Sequence, residues 1–236
     1  MSSIGGTRPA RRSAESEKEK SVKLVIFDID GTLVDSQEFL LEAQRRAFEA
    51  HRIEPPSRET SLSIVGLSLR EAFTVLAGEQ GPVDSLAQAY RDAWKTMRGD
   101  PAFDDPLYPG ASGAVAALAK RDNVLLGIAT GKSRNGVAHL LDRCGWEGWF
   151  STVQTSDEHP SKPAPGMILA ALSETGAAPA STYMIGDTTY DMEMACAAGV
   201  HPIGVAWGYH ARAELRDAGA EWIVSNFDEL LQLIET

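Results

Sequence analysis

The chain has 236 residues, with 33 acidic and 22 basic side chains and a net charge of -11 at pH 7. Its 43% apolar and 23% charged content is that of a globular protein able to bury a sizeable core. The acidic balance argues against non-specific binding to nucleic acid or an anionic membrane, and no apolar run approaches the roughly 18 residues of a membrane span.

Residues 1–21 hold Gly5-Gly6, Pro9, Arg8, Arg11, Arg12 and a charged run from Glu15 to Lys20, which cannot build a core; a disordered tail is expected. The Arg11-Arg12 pair lacks the apolar segment of an export signal, so a cytoplasmic protein is expected. Cys144 and Cys196 show no CxxC or framework spacing and read as reduced, packed thiols.

The run from Val22 to Phe27, broken only by Lys23, predicts a buried parallel strand. It ends in Asp28-Ile29-Asp30-Gly31-Thr32-Leu33-Val34-Asp35. Side chains two apart on a strand point the same way, so Asp28 and Asp30 emerge together, and Gly31 permits a sharp turn. Like charges about 4 Å apart repel by roughly 4 kcal/mol at an effective dielectric near 20. The pair therefore calls for a cation.

Beyond it, Phe39, Leu40, Ala43, Ala47 and Phe48 have helical spacing over 36–50, and Pro55-Pro56 interrupts. Further helices are predicted over 58–65, 69–77 and 83–97, punctuated by Gly66, Gly78, Gly81 and Gly99. No strand signal appears there, so 36–106 is read as an all-helical insert, with 106–110 as its return hinge.

From Ala111 strands and helices alternate. A helix over 111–120 leads to a strand over 124–129 and then Thr130-Gly131-Lys132-Ser133. A helix to about 144, a short strand near 152–153 and a helix over 165–174 follow. The strand 182–185 runs into Gly186-Asp187 and a helix across 192–198. A strand over 202–205, a helix near 211–218, a strand over 222–224 and a helix from 227 complete the chain. This pattern predicts an α/β doubly wound parallel sheet, core 22–35 and 107–236, with ligands beyond the carboxyl ends of its strands.

The stretch from Phe27 to Asp35 resembles the first motif of the haloacid dehalogenase-like (HAD) superfamily, hhhhDxDGTLxDS with h apolar. Thr130 with Gly131, Lys162-Pro163, and Gly186-Asp187-Thr188-Thr189-Tyr190-Asp191 resemble its second, third and fourth motifs, in family order. The likeness runs from about Val22 to the C-terminus. Lys162-Pro163-Ala164-Pro165 and Trp207-Gly208-Tyr209 resemble the phosphoglycolate phosphatase-like branch with a helical cap.

The resemblance implies a Mg²⁺-dependent phosphatase acting on a small phosphorylated metabolite through an aspartyl-phosphate. Asp28 would be the nucleophile, Asp30 the general acid and then base, and Lys162 a catalytic cation. Thr130, Gly131 and Lys162 would hold the phosphate. Asp28, the Asp30 carbonyl and Asp187 would hold the metal, with Asp191 orienting a water or Lys162. The charges agree: a dianionic ester entering beside three carboxylates requires a dication, and hard oxygen ligands suit Mg²⁺. The cap stretch from Val65 to Glu71 is expected to face the site, Gly66 allowing close approach and Arg70 gripping a second anionic group.

Haloacid dehalogenases and phosphonoacetaldehyde hydrolases lack a carboxylate corresponding to Asp30. β-Phosphoglucomutases keep both acids but carry a His in the following helix, where this chain has Ser36-Gln37-Glu38-Phe39-Leu40; a phosphomutase is the alternative reading. A non-catalytic regulator on the same fold would be expected to have lost a motif residue. Trp146 and Trp149 read as packing residues and His159 as an ordinary loop residue.

Overall fold

The computed structural model describes residues 22–98, 100 and 105–235; the expected tail lies outside the described residues, as do 99, 101–104 and 236. Six strands form one parallel sheet: β1 (Lys23–Phe27), β2 (Val124–Thr130), β3 (Phe150–Thr155), β4 (Thr182–Gly186), β5 (His201–Val205) and β6 (Trp222–Val224). Their spatial order is β3-β2-β1-β4-β5-β6. The chain winds outward from β1 through β2 to β3, then crosses back to β4 on its other side. The switch point therefore lies between β1 and β4, where the strand ends open a crevice.

After β1 come α1 (Gln37–Ala50), α2 (Arg58–Leu62), α3 (Leu69–Ala77) and α4 (Val83–Met97), with α5 (Ala111–Ala119) following them before β2. The later helices are α6 (Arg134–Cys144), α7 (Gly166–Thr175), α8 (Thr189–Ala198), α9 (Arg212–Asp217) and α10 (Phe227–Glu235). A parallel sheet must be covered on both faces, and β1 alternates accordingly. Val25 and Phe27 pack with Val115 and Leu118 of α5, Val137 and Leu140 of α6, and Leu230 of α10. Leu24 and Ile26 face the other way, onto Met167, Ile168 and Ala171 of α7 and Met194 and Ala195 of α8. Burying one such large apolar side chain stabilises by about 1.5–3 kcal/mol.

Helices α1, α3 and α4 share apolar contacts of their own. Ala47 and Phe48 of α1 meet Phe73 of α3 and Leu86 of α4, and Phe39 and Ala43 meet Ala93 and Met97. The chain leaves and rejoins the sheet side by side, through an antiparallel bridge between Val34 and Leu107. Asp35 N–H donates to the Pro106 carbonyl at 2.8 Å and Tyr108 N–H to the Leu33 carbonyl at 3.0 Å.

Two expectations need correction. The helix from Arg58 stops at Leu62 rather than Val65, because 63–67 folds into turns around Gly66 at φ +99°. Cys196 is exposed rather than packed, since α8 buries Asp191, Met192, Met194 and Ala195 and turns the thiol outward. Trp146 is buried in the core, and His159 Nε2 lies 2.7 Å from Gln154 Oε1. No helix among the described residues is long and apolar enough to cross a membrane.

Candidate active site

Asp28 and Asp30 leave the end of β1, Thr130 is the last residue of the adjacent β2, and Asp187 follows β4 on the other side. Lys162 comes from the loop between β3 and α7. Strand adjacency thus gathers groups that the sequence scatters over more than a hundred positions. Asp28, Thr130, Lys162, Asp187 and Asp191 are all buried, and Asp30 nearly so.

Lys162 ties the cluster together. Its ammonium donates to Asp191 Oδ1 at 2.6 Å and lies 2.9 Å from Asp28 Oδ2. The second contact is close but off-axis, and neither Asp28 oxygen accepts a hydrogen bond of good geometry from the described residues. Burial pushes the Asp28 carboxyl up to about 6, with Lys162 opposing that rise and Asp191 adding to it. For Lys162, burial would favour the neutral amine, but the Asp191 and Asp28 carboxylates outweigh it and raise its pKa.

Asp191 is fully committed: its Oδ2 accepts the Thr188 hydroxyl at 2.7 Å and the Thr188 N–H at 3.1 Å. These bonds form a capping box at the start of α8, which fixes the side chain that holds Lys162. Asp187 is held from two sides, Oδ1 by the Thr32 hydroxyl at 2.8 Å and Oδ2 by the Tyr209 N–H at 3.0 Å. Burial, then the Asp191 and Asp28 charges, raises its pKa well above the usual carboxylate range.

Gly31, at φ +84°, lets the chain pass under Asp187, where an added Cβ would come within 2.2 Å of Oδ2. Asp28, Asp187 and Asp191 each place a carboxylate oxygen within 4.8 Å of the others. Asp191 is tied to the Lys162 ammonium and to Thr188, whereas each Asp187 oxygen accepts one neutral donor and keeps a lone pair, and the Asp28 oxygens accept none of good geometry; Asp28 and Asp187 are thus the carboxylates open to a cation. Buried carboxylate oxygens without donors are costly, and an all-oxygen set of this kind suits Mg²⁺. The residues present fit the metal.

Asp30 adopts an arrangement that the sequence reading missed. Lys132 Nζ spans its carboxylate, 2.8 Å from Oδ1 and 3.1 Å from Oδ2. Lys132 stands two residues after Thr130, and that spacing from a strand end was the available signal. Thr32 and Tyr209, the residues that hold Asp187, were likewise quoted in motifs without a role.

Thr130 Oγ1 accepts the Lys132 N–H at 3.2 Å. The turn 63–67 lies directly over Gly131, whose Cβ, if present, would sit 2.7 Å from the Gly66 and Leu67 carbonyl oxygens. Ser68 N–H donates to Ser161 Oγ at 2.7 Å, and the Tyr190 hydroxyl to the Ser63 carbonyl at 3.0 Å. The expected close approach at Gly66 is present. Arg70 is different: it pairs with Asp84 at 2.8 Å, its side chain 74% exposed. The face of α3 that is buried carries Ala72 and Phe73, so Arg70 points to solvent and not to the carboxylate cluster.

The family described as haloacid dehalogenase-like hydrolase matches residues 25–205. "Probable phosphatase IndB" of Dickeya dadantii is 34% identical over 212 residues, 88% of this chain and 91% of its own length. Pyrophosphatase PpaX of Bacillus pumilus is 28% identical, over 92% of this chain and 98% of that protein. The solved structure of a hydrolase from Pseudomonas syringae superposes with a TM-score of 0.79 at 25% identity, covering 90% of this chain and 98% of that one. The family match spans most of the chain and includes Asp28, Asp30, Thr130, Lys162, Asp187 and Asp191: this protein belongs to the haloacid dehalogenase-like hydrolases.

Proposed function

We propose that this hydrolase is a Mg²⁺-dependent phosphatase acting on a small phosphate monoester through an aspartyl-phosphate. The observation that carries the reading is the buried group of Asp28, Lys162, Asp187 and Asp191 at the carboxyl ends of β1 and β4. Relatives named phosphatase and pyrophosphatase support it. The helices within 36–106 act as a cap over a core of 22–35 and 107–236, and the two free cysteines suit a cytoplasmic setting.

Asp28 is the nucleophile because it is a buried carboxylate whose oxygens are not claimed by aligned donors. Its oxygen forms the new P–O bond as the bond to the leaving oxygen breaks. Asp30 supplies a proton to that leaving oxygen, then takes one from the water that cleaves the acyl phosphate. Lys162, held by Asp191, neutralises charge on the phosphoryl oxygens, and Thr130 and the Gly131 N–H orient them. Asp28, the Asp30 carbonyl and Asp187 would hold Mg²⁺, which would offset the charge of carboxylates and substrate together. The turn 63–67 excludes water by lying over Gly131.

The test is phosphate release from a generic aryl phosphate, with Mg²⁺ and with a chelator, by the native chain and by Asp28→Asn. Release that requires the metal and is lost in the variant is expected. Undiminished turnover by Asp28→Asn rejects the scheme.

A further inference from the structure

Both oxygens of the Asp30 carboxylate are engaged by one ammonium, and this is no surface pair: the Lys132 and Asp30 side chains are only 9% and 12% exposed. Lys132 Nζ also lies 5.6 Å from the centre of the Trp94 ring on α4, and the Arg98 guanidinium lies 4.3 Å from the same ring. Lys132 therefore stands between Asp30 and the Trp94 indole of the helical insert, with the exposed Arg98 against the same indole. On the phosphatase reading above, the phosphoryl group would be held by Asp28, Thr130, Gly131 and Lys162, none of which contacts Lys132 Nζ through a side-chain hydrogen bond. As the acid for the leaving oxygen, Asp30 would lie on the leaving-group side, and Lys132, bonded to both of its oxygens, would lie there too.

A carboxylate that accepts two charge-assisted bonds is not free to serve a leaving oxygen. In a nearly dry cleft an ammonium gives up such a partner only to another anion, because leaving it unpaired is costly. We propose that Lys132 determines specificity, exchanging the Asp30 carboxylate for a second anionic group carried on the leaving side of the substrate. The assignment rests on the phosphatase reading above. It names the substrate class as short phosphate esters or anhydrides whose leaving group bears a carboxylate or phosphate. A neutral leaving group offers no such exchange and leaves Lys132 on Asp30.

The experiment measures binding of two non-hydrolysable phosphonates by calorimetry in Mg²⁺ buffer. Propylphosphonate and 3-phosphonopropionate differ in a terminal methyl against a carboxylate. The native protein is expected to bind 3-phosphonopropionate roughly tenfold or more tighter, the equivalent of one charge-assisted hydrogen bond. Lys132→Gln removes the preference and Lys132→Arg keeps part of it. Asp30→Asn, which frees the ammonium from its competitor, enlarges it.

No preference in the native protein, or one that survives Lys132→Gln, overturns the assignment. Should Lys132→Gln fail to fold, Asp30→Asn decides: an unchanged or smaller preference overturns it. Aryl phosphate release, measured in parallel, tests the hydrolytic reading separately. A protein that shows the preference but releases no phosphate keeps the Lys132 anion site and loses the phosphatase assignment.

Discussion

Lys162 donates to Asp191 at 2.6 Å while Asp191 itself is pinned by Thr188, so the position of the site's central cation is set by the first turn of α8. Asp191→Asn keeps the shape and removes the charge that holds the ammonium. A hydrogen bond to a charged group is worth about 1.5–3 kcal/mol, so kcat on an aryl phosphate should fall roughly 10- to 100-fold. Steady-state kinetics check this; a fall of less than threefold would remove Asp191 from its positioning role.

The acidic cluster makes stability depend on pH and metal together. Asp28 is raised from 3.8 to about 6 and Asp187 is raised well above its ordinary value, each chiefly by burial. Raised carboxyl groups stabilise the fold below their unfolded pKa, and that contribution is lost as pH climbs through the folded values. Metal-free protein is therefore expected to melt at a lower temperature at pH 7.5 than at pH 5. Mg²⁺ should raise Tm more at pH 7.5, where the carboxylates are ionised, than at pH 5. Equal increments at the two pH values would count against a metal bound by these groups.

Gly131→Ala inserts a methyl 2.7 Å from two backbone carbonyl oxygens of the turn 63–67. Backbone cannot yield as a flexible side chain does, and overpacking of this kind costs about 1–3 kcal/mol. The turn should be displaced from Thr130 and Gly131, lowering kcat/KM about tenfold or more with circular dichroism unchanged. Turnover equal to the native chain would show that the contact is not needed for catalysis.

Arg70→Ala should change kcat/KM less than twofold. The residue is exposed and paired with Asp84, and surface pairs contribute about 0–1 kcal/mol. A tenfold loss on an anionic substrate would mean that α3 moves enough to bring this guanidinium inward.

The sequence made the sheet legible because periodicity is a local property. The runs Val22 to Phe27 and 124–129 read as strands and are found as Lys23–Phe27 and Val124–Thr130, and α3 and α4 begin and end where the spacing places them. The motif acids and Lys162 were readable as a group because each sits at a strand end or in the loop or helix start that follows, and neighbouring strands converge there. What was not readable depends on pairings across the fold. Lys132 meets Asp30 from 102 positions away, and Thr32 meets Asp187 from 155. The place of Lys132 two residues after a strand end puts it near the site but does not name its partner, and no local pattern announces the pairing of Thr32. Arg70 was misplaced for a related reason: helical spacing says which residues share a face, but not which face the neighbouring helix covers.

The bridge between Val34 and Leu107 brings the two ends of the helical excursion to one spot on the rim of the sheet. A short linker spanning Leu33 to Tyr108 can close the chain there without redirecting a single strand. The strand end that carries Asp28 is thereby independent of the length of the excursion between Val34 and Leu107.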